Sequence, residues 1–131
     1  MTPPTFSFEP PHVPTSRSPG APAVDLVPLR EVGDDELVVE LAQLFVDSTI
    51  PLIATIREAM ARADSPTVVR AAHSVKGAAA NLYAERLRAA ACSLEAAGKR
   101  GEISEMLTLV EEVDQRFGEA RDYLKTELNL T

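Results

Sequence analysis

The chain has 131 residues, of which 45% are hydrophobic, 25% charged and 5% aromatic, enough for one compact domain. One cysteine excludes an internal disulfide and leaves no basis for a cysteine-based metal site, while 20 acidic against 13 basic residues, a net charge of -7, argue against a nucleic-acid binder. No unbroken apolar run reaches the roughly 20 residues that cross a bilayer, and the N-terminus lacks a signal-peptide pattern, so the expectation is a cytoplasmic protein without a membrane partner.

Eight of the ten prolines lie between Pro3 and Pro28. Proline removes a backbone donor and restricts the residue before it, so this stretch holds neither a helix nor a central strand. Residues 1–22 are expected to form a disordered proline-rich tail, and residues 23–131 the folded domain. Phe6 and Phe8 read as part of a spacer more readily than as a docking motif, and His12 as incidental. The first 30 residues balance two acids with two bases, so residues 31–131 carry the whole net charge.

From Asp25 a helical pattern begins. DLVPLREV predicts a short lead-in helix or turn, with Leu26 and Leu29 covering one end of a bundle. Leu37, Leu41, Leu44, Phe45, Ser48, Leu52, Ile56 and Met60 then recur at three- and four-residue steps, the mark of an amphipathic helix. Pro51 should kink or split it near Thr49. Ser65 and Pro66 suit the N-cap and first position of the next helix, expected to run to about Leu82. A further helix buries Leu87, Ala90, Ala91 and Leu94, and ends at Gly98 or at the turn through Gly101. The last carries Ile103, Met106, Leu107, Val110, Val113, Phe117, Ala120, Leu124 and Leu128. The short connections predict an all-α fold, an antiparallel up-and-down four-helix bundle with the lead-in element at one end.

Function must come from residues that packing does not explain. At about 100° per residue, Val68, Ala71, Ala72, Val75, Ala78, Ala79 and Leu82 form one apolar arc. His73 lies roughly 160° from its centre, so it projects away from the core. Its outward neighbours are Val69, Lys76, Gly77 and Ala80, with Asn81 about 80° away. A mid-helix Gly costs about 1 kcal/mol relative to Ala. That cost, with two further small side chains and a His–Lys pair at the centre, marks ground kept clear for a partner's approach. Neutral imidazole is nucleophilic near neutral pH and can hold a phosphoryl group as an N–P bond. Lys76, one turn on, can balance charge on the phosphoryl oxygens. The nearest acid after Lys76 is Glu85, too far along the chain to be its i+4 partner. Cys92 falls off its helix's apolar stripe and reads as an exposed bystander.

The run AHSVKGAAANLYAERLRAAACSLE resembles the histidine-containing phosphotransfer (Hpt) family of phosphorelays. Its hallmark is Ala before the histidine, Lys three after, Gly four after, then small residues and Asn. Ala72, His73, Lys76, Gly77, Ala78, Ala79, Ala80 and Asn81 supply these, and Leu82, Ala84, Leu87 and Leu94-Glu95 also fit. The resemblance covers about residues 25–128. It implies that His73 accepts a phosphoryl group and exchanges it with the aspartate of a response-regulator receiver domain. A hybrid sensor histidine kinase is the other implied partner, and the Mg²⁺ is the receiver's. This chain would then bind no cofactor or metal and would be no enzyme in its own right. Lys76 would steady the phosphoryl group, and Val69, Gly77, Ala80 and Asn81 would form the docking face. A non-catalytic Hpt-fold adaptor that sequesters a kinase or receiver is the alternative. Two departures stand out. Tyr83 replaces the usual Gly, which predicts a longer helix or a differently opened turn at the docking rim. Ala78 replaces a common Ser.

Overall fold

The computed structural model describes residues 22–130. The expected tail, with Phe6, Phe8 and His12, lies outside the described residues except for Pro22. Five helices follow: α1 (Leu26–Val32), α2 (Asp35–Ala61), α3 (Ser65–Asn81), α4 (Glu85–Arg100) and α5 (Ile103–Leu128). Among the described residues there is no strand, as the periodicity predicts.

Three helices start on aspartates. Asp25 and Asp34 accept from the backbone N–H of Val27 and Leu37 and cap α1 and α2. At α3 the cap is Asp64, one residue earlier than expected. Its carboxylate accepts from the Thr67 amide at 3.3 Å and the Thr67 hydroxyl at 2.7 Å. A carboxylate takes both donors at once, so it outcompetes the Ser65 hydroxyl and moves Pro66 to the second helical position.

The α2 expectations need two corrections. Pro51 does not split the helix, which runs unbroken from Asp35 to Ala61. Pro51 and Asp47, whose carbonyl loses its amide partner, are both exposed, so water can replace the missing bond. The buried face is also turned by about one residue. It consists of Val38, Ala42, Phe45, Val46, Thr49, Ile53, Ile56 and Ala59, leaving Leu44 62% and Leu37 39% exposed. Both faces of α2 are apolar, and the smaller, β-branched one packs closer to its neighbours. This breadth of apolar surface also makes α2 long and apolar enough to cross a membrane, with a mean hydropathy of 1.6 over its best 18 residues. The unbroken-run reading of the sequence missed this; here α2 packs as a bundle helix. In α5, Ile103 and Leu107 are likewise exposed, and the core stripe begins at Met106.

The helices close a ring of neighbours: α2 packs on α3, α3 on α4, α4 on α5 and α5 on α2, with α1 set against α2. Phe45 and Phe117 meet across α2 and α5 with ring centroids 5.8 Å apart. Arg57 on α2 bridges to Glu111 and Asp114 on α5, and both raise its pKa. The α3–α4 seam is the most extensive. Gly98 permits this closeness, because a Cβ there would stand 2.7 Å from Val69 Cγ2. At its end α4 stops on Gly101 at φ +67°. The α3–α4 turn keeps the same left-handed device without glycine. Tyr83 itself sits at φ +57°, so α3 is not lengthened and the turn does not open. The Asp25 amide donates to the Tyr83 carbonyl at 3.1 Å and ties the lead-in segment to this turn.

Thr49 is fully buried, and its hydroxyl has no partner among the described residues. Removing an unsatisfied buried polar group while keeping its shape is favourable. Thr49→Val should therefore raise stability by about 1 kcal/mol in urea unfolding. A loss of stability would mean that the hydroxyl has a partner after all.

Candidate functional site

The same periodicity that buries Val68, Ala71, Ala72, Val75 and Ala79 turns His73 outward on α3. Its side chain is 66% exposed. Lys76 follows one turn later and Gly77 next to it. No atom lies within 4 Å of the position a Gly77 Cβ would take. Ala80 and Asn81 are exposed as well.

The imidazole is held from the neighbouring helix. On α4, Ala91, Glu95 and Gly98 follow at i, i+4 and i+7 along the stripe that faces α3. Ala91 and Gly98 are small enough for the helices to approach, which leaves Glu95 only 7% exposed between them. Its Oε2 lies 3.0 Å from His73 Nδ1, and Lys76 Nζ donates to its Oε1 at 2.6 Å. Lys99, one turn further along α4, brings a second ammonium group to 3.5 Å of Oε2.

Electrostatics sets the proton positions. The Lys76 hydrogen bond, helped by that of His73, overcomes desolvation and holds the Glu95 carboxyl at about 2, against an ordinary value of 4.5. The same bond raises the pKa of Lys76. A carboxylate ionised at neutral pH can only accept, so a neutral His73 carries its proton on Nδ1 and donates it to Glu95. The lone pair is thereby placed on Nε2, which has no partner among the described residues. The site is a fixed ring with one nitrogen anchored and the other free to attack.

Two sequence expectations change here. Lys76 does have an acid partner, supplied by α4 and therefore invisible to a search along its own helix. Val69 does not belong to the exposed face: it is half-buried, with Cγ2 against Gly98. Asn81 makes no side-chain hydrogen bond among the described residues. It lines a pocket of about 110 Å³ between α2 and α3 with Leu41, Leu44, Phe45, Ser48, Ala78 and Leu82. Glu95 itself was read from the sequence only as part of a fitting Leu-Glu pair. A signal for it exists: one acid set within an Ala/Gly stripe at helical spacing. Nor does the donor set suit a divalent cation, because the one carboxylate at the site is already shared by three cationic or proton-donating groups.

Comparison with known proteins agrees with this geometry. The profile of the Hpt domain matches residues 40–125. This chain belongs to the Hpt family. Among solved structures, histidine-containing phosphotransfer protein B (HptB) from Pseudomonas aeruginosa PAO1 is similar, with 30% identity and a TM-score of 0.77. The match covers 84% of this chain and 97% of that one. Comparison with curated protein sequences returns no relative. Phosphotransfer in two-component signalling is thus the setting of this Hpt domain.

The anchored carboxylate has a pH signature. Its folded-state pKa lies below the unfolded value, so its contribution to stability is complete above about pH 4.5 and is lost as pH falls toward 2. Glu95→Gln should be less stable than the parent at pH 7, and urea melts should show the gap closing between pH 4.5 and 2. A constant gap would show that the ionised carboxylate contributes nothing specific.

Proposed function

We propose that the protein is a phosphorelay intermediate whose His73 exchanges a phosphoryl group with the aspartate of a receiver domain. One observation carries this reading. An exposed imidazole has Nδ1 tied to a buried carboxylate and Nε2 without a partner among the described residues, and Gly77 and Ala80 keep the turns beyond it on the outward face low.

The chemistry balances without outside protons. The Nε2 lone pair forms the N–P bond as the O–P bond of the aspartyl phosphate breaks, and that electron pair returns to the aspartate carboxylate. The ring keeps its Nδ1 proton and gains positive charge, which the Glu95 carboxylate faces at 3.0 Å. In the resting state Lys76 is held by Glu95; on transfer it can turn its ammonium toward the phosphoryl oxygens. The reverse step uses the same contacts. Much of the catalysis is positioning. In this reading the Mg²⁺ of the transfer step is the receiver's.

In this reading the chain is a cytoplasmic phosphoprotein and not an enzyme with kinase chemistry of its own. A receiver domain, a hybrid sensor kinase or both are its partners. The antiparallel up-and-down arrangement of α2 to α5 belongs to the same reading. Turns of two or three residues separate these helices, which favours reversal of direction at each one.

The test is incubation with phosphorylated receiver domains and Mg²⁺. Acid-labile, base-stable phosphate should appear on the protein and vanish in His73→Gln. Binding without transfer would instead identify an adaptor. A second variant probes the bare surface. Gly77→Arg should keep or slightly raise helix content, because a Cβ there meets open space, yet lower transfer at least tenfold by blocking approach to His73. Normal transfer rates would overturn the clearance argument.

A further inference from the structure

Tyr83 stands in the left-handed region at φ +57°. That conformation costs an ordinary L-residue roughly 1–2 kcal/mol, because Cβ crowds its own backbone. Glycine would adopt it freely. The backbone role of this position does not require a side chain: its carbonyl accepts from the Asp25 amide, which any residue could supply. Nor does the ring repay the strain by packing. Tyr83 is 46% exposed, and its hydroxyl has no hydrogen-bonding partner among the described residues. A bulky aromatic is thus kept at a strained position with half of its surface in water.

Its place in the fold gives that cost a use. α3 ends at Asn81, about 12 Å beyond His73 along the axis at 1.5 Å per residue, and Tyr83 sits in the turn that follows it. A partner burying about 800 Å² on this face covers a disc roughly 16 Å in radius. Tyr83 falls at its rim. The preceding residue, Leu82, lines the apolar pocket between α2 and α3, beside which Leu44 is 62% exposed. Leu41, Phe45 and Ala78 complete the floor of this pocket. The surface beyond His73 therefore changes from small residues to an apolar recess, and an exposed aromatic follows the last residue of that recess in the chain.

We propose that Tyr83 is a specificity-determining residue of the docking face, selecting receivers that present an apolar side chain to the Leu44–Tyr83 end of α3. The inference rests on the relay reading, which makes a receiver domain the occupant. Exposed Asn81, one turn beyond Gly77, also lines the α2–α3 pocket, so this surface continues from the His73 face into that partner's footprint. Because Tyr83 lies far from the reacting atoms, it acts on binding and not on the chemical step.

The experiment compares wild type, Tyr83→Gly and Tyr83→Phe, each in the full chain, for transfer from a panel of purified phosphorylated receiver domains. Relief of strain should raise the Tm of Tyr83→Gly by a few degrees, so weakened transfer cannot be attributed to unfolding. For the receiver preferred by wild type, Tyr83→Gly should raise KM about tenfold with kcat unchanged. For poorly used receivers KM should move less than twofold, so discrimination narrows. Tyr83→Phe should keep the wild-type preference. Unchanged KM for the preferred receiver, or equal changes across the panel, would overturn the proposal while leaving the relay intact. A uniform gain in transfer would also overturn it, by showing that the ring obstructs the face. Failure of wild type to accept phosphate from any receiver would overturn the relay reading itself, and this inference with it.

Discussion

The site depends on one carboxylate. Glu95 reaches from α4 into the seam with α3, where burial alone would penalise its charge. It stays ionised because His73, Lys76 and Lys99 surround it, at 3.0, 2.6 and 3.5 Å. Each partner keeps some contact with water, so most of the desolvation falls on the acid. This carboxylate sets the histidine tautomer and binds the nearest lysine. Nε2 can then face solvent while Nδ1 is held.

That arrangement requires α3 and α4 to pack closely along their seam, and side-chain size provides for it. Gly98 leaves room for Val69, and Ala91 sits one turn before Glu95 on the same stripe. Beyond this contact, the small residues that follow His73 on α3 have different surroundings. Gly77 and Ala80 meet solvent and leave the space beside the imidazole open. Small side chains therefore do two jobs in this protein, bringing helices together inside and keeping bulk away outside. Periodicity separates the two uses. The buried small residues share a stripe with Val75 and Leu94, whereas the exposed ones share a face with His73.

Turns show how local rules compete. The α4–α5 turn uses Gly101 at φ +67°, a conformation open to glycine at no steric cost. The α3–α4 turn needs nearly the same backbone and takes it with Tyr83. Tertiary structure, not the residue's own preference, decides the second turn. The Asp25–Tyr83 bond and the packing of Leu82 and Ala84 hold it in place.

Helical periodicity, caps and turn lengths determined the order of the elements and the extents of α3, α4 and α5 to within a few residues from the sequence alone, because these depend on residues a few positions apart. They left α1 open between helix and turn and placed a break in α2 at Pro51 that the packed helix does not have. The same local spacing turned His73 away from its helix's core and set Gly77 and Ala80 beside it. Contacts between helices were a different matter. A helical wheel has no information about the rotation of its neighbour, so Glu95 as the partner of His73 and Lys76 emerged only from the packed α3–α4 pair. For the same reason Val69 moved from the exposed face into the seam. In α2, apolar residues surround most of the circumference, and pattern alone could not choose between the Leu37–Leu44 face and the Val38–Phe45 face. Steric fit against α3 and α5 made that choice, and so decided which leucines were left at the surface.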